Sequence, residues 1–113
     1  MKHNFIIREV DRRVFEAIKN GEKKIETRKA NPKYLAIQKG DIAVFKCGQD
    51  ILEKEILETR HFKSIDEMLE VYSFKQIMPF VNSKEEMIEV YYSFPGYKEA
   101  IEENGLVAME LGE

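Results

Sequence analysis

The sequence predicts an α+β domain: a small, strongly curved β-sheet or barrel of about five mainly antiparallel strands, with helices flanking it. Three observations carry this expectation. Five short runs have the apolar or alternating character of strands, at Phe5–Ile7, Lys24–Thr27, Ile42–Phe45, Ile51–Phe62 and Leu106–Leu111. The link between the third and fourth runs is far too short for a parallel crossover, so a hairpin is required there. Three further stretches carry apolar residues at helical spacing or lie between clear stop signals, and five strands in 113 residues favour curvature over a broad flat sheet.

Each element has its own justification. Phe5-Ile6-Ile7 reads as a short buried strand, and Asp11 stands where it would cap the following helix. Val14, Phe15 and Ile18 share one face of that helix, and Asn20-Gly21 supplies its stop. From Lys24 the pattern alternates, with Ile25 and Thr27 on one side and Glu26 and Arg28 on the other, as in a half-buried strand. Asn31-Pro32 then breaks regular structure, so residues 29–39 are read as a loop. Lys39-Gly40-Asp41 turns the chain into Ile42–Phe45, and Cys47-Gly48-Gln49-Asp50 turns it back into the long strand Ile51–Phe62. Ser64 with Glu67 and Ser83 with Glu86 have capping-box spacing. Behind them Ile65, Met68, Leu69 and Tyr72, then Met87, Ile88, Val90 and Tyr91, repeat at helical intervals. Phe94-Pro95-Gly96-Tyr97 is an aromatic turn, Lys98–Asn104 a short helix, and Gly105 the release into the last strand. The resulting order is β-α-β-β-β-α-α-β with that short helix before the final strand, one domain over residues 1–113, with Ile25, Val44 and Val107 in its core.

Composition narrows the class of function. Hydrophobic residues make up 43% of the chain and aromatic residues 11%, enough for a folded core and too much for a disordered segment. No apolar run approaches the roughly 20 residues of a membrane span, and the start of the chain carries no secretory or transit pattern. A cytoplasmic protein with no membrane association is expected. One cysteine, Cys47, rules out an internal disulfide, and His3 and His61 have no second ligand at metal-binding spacing, so neither a metal nor another cofactor is expected. The six glycines are isolated, which excludes a glycine-rich phosphate loop.

The net charge of −3 conceals an asymmetry. Between Arg12 and Lys39 nine Lys or Arg face three Glu, whereas the remainder carries nine bases and 18 acids. Such a division fits one positive face on an acidic body, suited to an anionic ligand, although scattered lysines also serve simply to solvate a surface. Within the basic stretch, Glu26 and Arg28 project from one strand face, and Lys23 stands at the strand's mouth. An acid, a lysine and an arginine so gathered balance one another and still offer donors to a phosphate or carboxylate. By periodicity alone they equally fit a surface ion pair worth roughly 0–1 kcal/mol. Tyr92 and Tyr97 are the candidate stacking surfaces for a base, while the helical phase of Tyr91 assigns it to the core.

The pattern G-x-K-x-x-E-x-R at Gly21, Lys23, Glu26 and Arg28 follows a short β-α unit and precedes Lys39-Gly40-Asp41 and an apolar strand. Together with Ser73-Phe74, the Phe94-Pro95-Gly96-Tyr97 turn and the closing Gly105–Met109 strand, it resembles the ASCH family. The resemblance implies a PUA-like barrel with a cleft beside the motif, lined by Lys23, Glu26 and Arg28, and the binding of RNA or a nucleotide-like ligand. One branch of the family is similar to amidohydrolases that deacylate N4-acetylcytidine with a lysine, a threonine and a glutamate. Lys23 matches that lysine, but Glu26 holds the threonine's place, and Met78-Pro79-Phe80 lies where the carboxylate would be. A binding module is therefore the leading expectation. The alternative is a hydrolase on a modified nucleoside, or a ribonuclease, with Lys23 or Glu26 as general base, and the third is a protein-interaction module.

Overall fold

A computed structural model describes residues 1–113. It joins β1 (Lys2–Ile7), β2 (Ile25–Lys29), β3 (Ile42–Cys47), β4 (Asp50–Phe62) and β5 (Leu106–Leu111) into one sheet of order β1-β3-β4-β5-β2. Every neighbour pair is antiparallel except β1 with β3, so the sheet is mixed. β4 bends the sheet into a half-barrel. Its first half pairs with β3 and its second with β5, and a bulge between Ile56 and Glu58 marks the handover. An extra residue at a bulge increases local twist, which is what curls the sheet. Ile25, Val44 and Val107 are all buried.

Helices are more numerous than the periodicity predicts. They are α1 (Arg12–Lys19), α2 (Pro32–Leu35), α3 (Ile65–Leu69), α4 (Phe74–Ile77), α5 (Lys84–Ser93) and α6 (Tyr97–Asn104). Two apolar clusters result, one on each face of the sheet. The first gathers Ile25, Phe62, Leu106 and Ala108 under α3 to α6; the second gathers Phe5, Ile7, Phe45, Val107 and Met109 under α1 and α2.

Several expectations are corrected. Phe5-Ile6-Ile7 is not buried throughout: Phe5 and Ile7 face the core, but Ile6 is 66% exposed, because neighbours on a strand point to opposite faces. The segment read as a loop over residues 29–39 holds the last residue of β2 and all of α2. Asn31 caps that helix by accepting the Tyr34 amide, and Pro32 occupies its first turn, where a missing N–H costs nothing. Asp11 precedes α1 but caps nothing. Its carboxylate accepts a hydrogen bond from Arg8, and a short 3-10 turn, Glu9–Asp11, leads into the helix. Ser64 and Ser83 do cap α3 and α5, yet Glu67 and Glu86 reach one residue further back, to the amides of Lys63 and Asn82. The complete reciprocal box belongs instead to α4, between Ser73 and Gln76. Finally, β2 is covered on both faces, so Glu26 and Thr27 are as buried as Ile25.

Candidate functional site

β2 forms one edge of the sheet, and its alternation decides what sits where. Glu26 and Arg28 stand opposite Met109 and Val107 and share their face, the one with Phe5; Ile25 and Thr27 join Ala108 on the face covered by α5 and α6. The outward main-chain groups of β2 are then met by side chains rather than by another strand. Lys23 Nζ donates to the carbonyl of Ile25 at 2.9 Å and to that of Ile77, at the end of α4, at 2.6 Å. Glu26 Oε1 accepts the Thr27 amide at 2.8 Å. The Lys29 amide meets the Tyr97 hydroxyl.

Three charges meet at this edge. Lys23 Nζ lies 3.9 Å from Glu26 Oε1, and Arg28 Nη2 lies 3.7 Å from Glu26 Oε2. Both separations exceed hydrogen-bond length, so the carboxylate is neutralised by its neighbours without being saturated by them. Burial pulls the Lys23 ammonium below its ordinary pKa, with Glu26 opposing and Arg28 reinforcing that pull. Burial also works against the Arg28 charge, but Glu26, Tyr34 and Tyr97 outweigh it and hold the guanidinium above its usual value. On the other side of the strand the Thr27 hydroxyl is paired with that of Tyr91, and burial raises the Tyr91 phenol well above its ordinary range.

Arg28 is the member that reaches the surface, with a fifth of its side chain exposed. Its guanidinium lies over the Phe5 ring at 5.1 Å and the Tyr34 ring at 5.8 Å, and Phe5 and Tyr34 stack on one another with centroids 6.0 Å apart. Tyr97, whose hydroxyl burial pushes upward against the pull of Arg28, approaches from the opposite face. Lys29 lies 5.4 Å over the Tyr97 ring and Lys33 lies 5.3 Å over that of Tyr34. The result is an arginine between half-buried tyrosines, rimmed by two lysines.

The structure brings Lys23, Glu26, Arg28 and Tyr97 together and leaves Tyr92 apart. Tyr92 is exposed on α5, under Lys98, and lines a separate hollow of about 270 Å³ with Ser64, Asp66 and Ile88. Lys23 is sealed rather than standing at a mouth, with 5% of its side chain exposed. A larger hollow, of about 490 Å³ between Lys19, Lys24, Lys54, Leu57 and Leu111, touches Lys23 but none of the other three. Tyr34, Phe5, Lys29 and Lys33 are absent from the expected set. The Asn31-Pro32 pair was the available signal for Tyr34, since a capping Asn before Pro starts a helix as readily as it ends a strand. The remaining candidates are spent elsewhere. His3 bonds Asp41, His61 bonds the Asn104 carbonyl, and Cys47 is buried against the Arg8 carbonyl. No three His, Cys, Asp or Glu residues gather in metal-binding geometry.

Comparison with known proteins agrees with this architecture. The chain is 35% identical to the hypothetical protein PH0355, whose crystal structure superposes with a TM-score of 0.84 over 98% of this chain and 97% of that one. It is 33% identical to protein PF0455 from Pyrococcus furiosus, known from a solution NMR structure, with a TM-score of 0.77 over 98% of this chain and 96% of that one. No curated protein matches. The family model of the ASCH domain matches residues 9–112, nearly the whole described fold, and the chain therefore belongs to the ASCH domain family.

Proposed function

We propose that this ASCH domain binds single-stranded RNA or a nucleotide at the free edge of β2, with Arg28 as its anchor. The observation that carries this reading is the state of Arg28. It is held in place by two aromatic rings and a carboxylate beyond hydrogen-bond distance, so most of its five donors remain open. A guanidinium fixed in this way has already lost the side-chain freedom that binding would otherwise remove. Tyr34 and Tyr97 supply ring faces for a base, and Lys29 and Lys33 supply charge for phosphates.

Charge elsewhere favours a short contact over a long one. From Lys84 to Glu113 there are two lysines and eight glutamates, a surface that repels a duplex laid across it. The hydrolytic alternative draws less support, because the Lys23 ammonium is committed to two main-chain carbonyls and a general base must reach the proton it takes.

The test is the affinity of the purified protein for nucleotides and short single-stranded RNA, by calorimetry or anisotropy. Arg28→Ala should weaken binding about tenfold or more, the scale of a lost charge-assisted hydrogen bond. Lys84→Ala should change nothing, since its ammonium is paired with Asp66. Equal losses at both positions, or none at either, would reject the site.

A further inference from the structure

The larger hollow, of about 490 Å³, lies away from the Arg28 anchor, at the start of β2 rather than near its end. Its floor is apolar, made by Ile18, Leu57 and Leu111, and its charged wall is Lys19, Lys24 and Lys54. These lysines come from three separate places in the chain. Lys19 closes α1 and Lys54 belongs to β4. Lys24 is pinned just before β2, its amide donating to the Gln76 carbonyl and its carbonyl accepting the Leu111 amide, both at 2.9 Å. The chain has 21 acids to 18 bases, yet none of the three lysines has an acid within ion-pair distance, not even Glu113 on the rim of the same hollow.

Lys54 is the informative member. Alternation puts it on the core side of β4, between Leu52 and Ile56 and opposite Ala43, and all three of those neighbours belong to or pack on the apolar cluster under α1 and α2. That position suits an apolar residue. An inward charge can guard a sheet edge against foreign strands, but β4 is the central strand and has no free edge. Lys19 offsets the negative end of α1, which leaves Lys24 and Lys54 without a structural task. Like charges gathered in a concavity repel one another, and they focus a positive potential there.

We infer that this hollow is a second anion site, built for a diphosphate group. Lysine meets phosphate oxygens as a point charge and needs no planar fork, so ammonium groups from three directions suit a multiply charged anion better than a single carboxylate. A diphosphate brings more charge than one phosphate and spans more of the space. The volume falls in the range of small-molecule sites, and the apolar floor accommodates an organic body attached to the anion. Arg28 takes no part, so the inference stands apart from the nucleotide reading.

The probe is inorganic pyrophosphate, titrated at fixed ionic strength and followed by amide chemical shifts in NMR spectra, with sulfate alongside. Shifts should gather at Gly21, Lys24, Leu57 and Leu111, and pyrophosphate should bind about tenfold more tightly than sulfate. Lys24→Gln and Lys54→Gln should each weaken it about two- to fivefold, the worth of a partly exposed ion pair, while Arg28→Ala leaves it unchanged. Lys24 is exposed, so its variant tests the site even where replacing Lys54 disturbs the core. In the Arg28→Ala background, uridine diphosphate binding more tightly than pyrophosphate would identify an organic diphosphate as the ligand, and weaker binding the free anion. Equal binding of sulfate and pyrophosphate, or affinity untouched by both lysine variants, would overturn the inference and reduce the hollow to a solvated basic surface. Loss in Arg28→Ala alone would move the anion to the edge of β2, overturning this site while supporting the one proposed above.

Discussion

Lys23 shows how a residue of the G-x-K-x-x-E-x-R pattern can work for the fold first. Its ammonium donates to the Ile25 and Ile77 carbonyls and lies 3.9 Å from the Glu26 carboxylate, so it ties the edge of β2 to the end of α4. Truncation to Ala leaves two carbonyls and a buried carboxylate short of a partner, and should cost on the order of 3 kcal/mol in a denaturant titration. Any loss of ligand binding in Lys23→Ala should follow from that loss of structure. A titration of stability against pH separates the two roles. The folded-state pKa of Lys23 is lowered, so between that value and the unfolded value near 10.5 the unfolded chain binds more protons and stability rises with pH. Wild type should therefore gain stability relative to Lys23→Met as pH is raised toward about 10, and a constant difference across that range would contradict it. Above that range the sign reverses for the phenols. Tyr72, pushed up to about 12 by burial and by its bond to Glu110, keeps a proton that the unfolded chain loses.

Among the elements, the end of α6 is the least forgiving junction. Gly105 has φ 78° and ψ −155°, a conformation open almost only to glycine, and a Cβ there would overlap the Phe62 carbonyl oxygen and stand 3.0 Å from Lys63 Cα. Gly105→Ala should destabilise the protein by about 3 kcal/mol or more, measured by chemical unfolding, whereas Gly21→Ala meets no neighbouring atom and should cost less. The same contrast explains what the sequence could reveal. The five strands were legible as apolar or alternating runs between turn signals, α1 and α5 because each repeats a period long enough to read, and Gly105 because a helix followed by Gly and an apolar run is a stop signal. α2 and α4 have four residues each, too few for any periodicity, and only their caps betray them. The grouping of Glu26 with Arg28 followed from alternation along β2. The sealing of Lys23 did not, because its acceptor at Ile77 comes from 54 residues away and a lysine beside a turn has every appearance of an exposed one.

At the scale of the whole molecule, the net charge is −3 while Arg28, Lys29 and Lys33 gather at the edge of β2, and the two should leave different marks on binding. On the proposed reading, Arg28, Lys29 and Lys33 would make two or three phosphate contacts, so the logarithm of the single-strand association constant should fall against that of salt concentration with a slope of about −2. A slope several times steeper would point to a broad cationic surface that the charge distribution does not provide. The other global property is the one parallel pairing in the sheet. β1 is made first, yet its partner β3 follows only after α1, β2 and α2, so docking β1 closes the longest route between neighbouring strands of this half. His3, through Asp41, fastens its start. Phe5, in its middle, is one of the two rings that hold Arg28. Peeling β1 away would thus dismantle the anchor, and any ligand that requires the anchor draws on the free energy of keeping the strand in place. Amide hydrogens of β1 should exchange with deuterium more slowly when the site is filled, although no ligand atom need touch them, and by reciprocity a mutation that loosens the first strand should be felt as lost affinity at the opposite edge of the sheet.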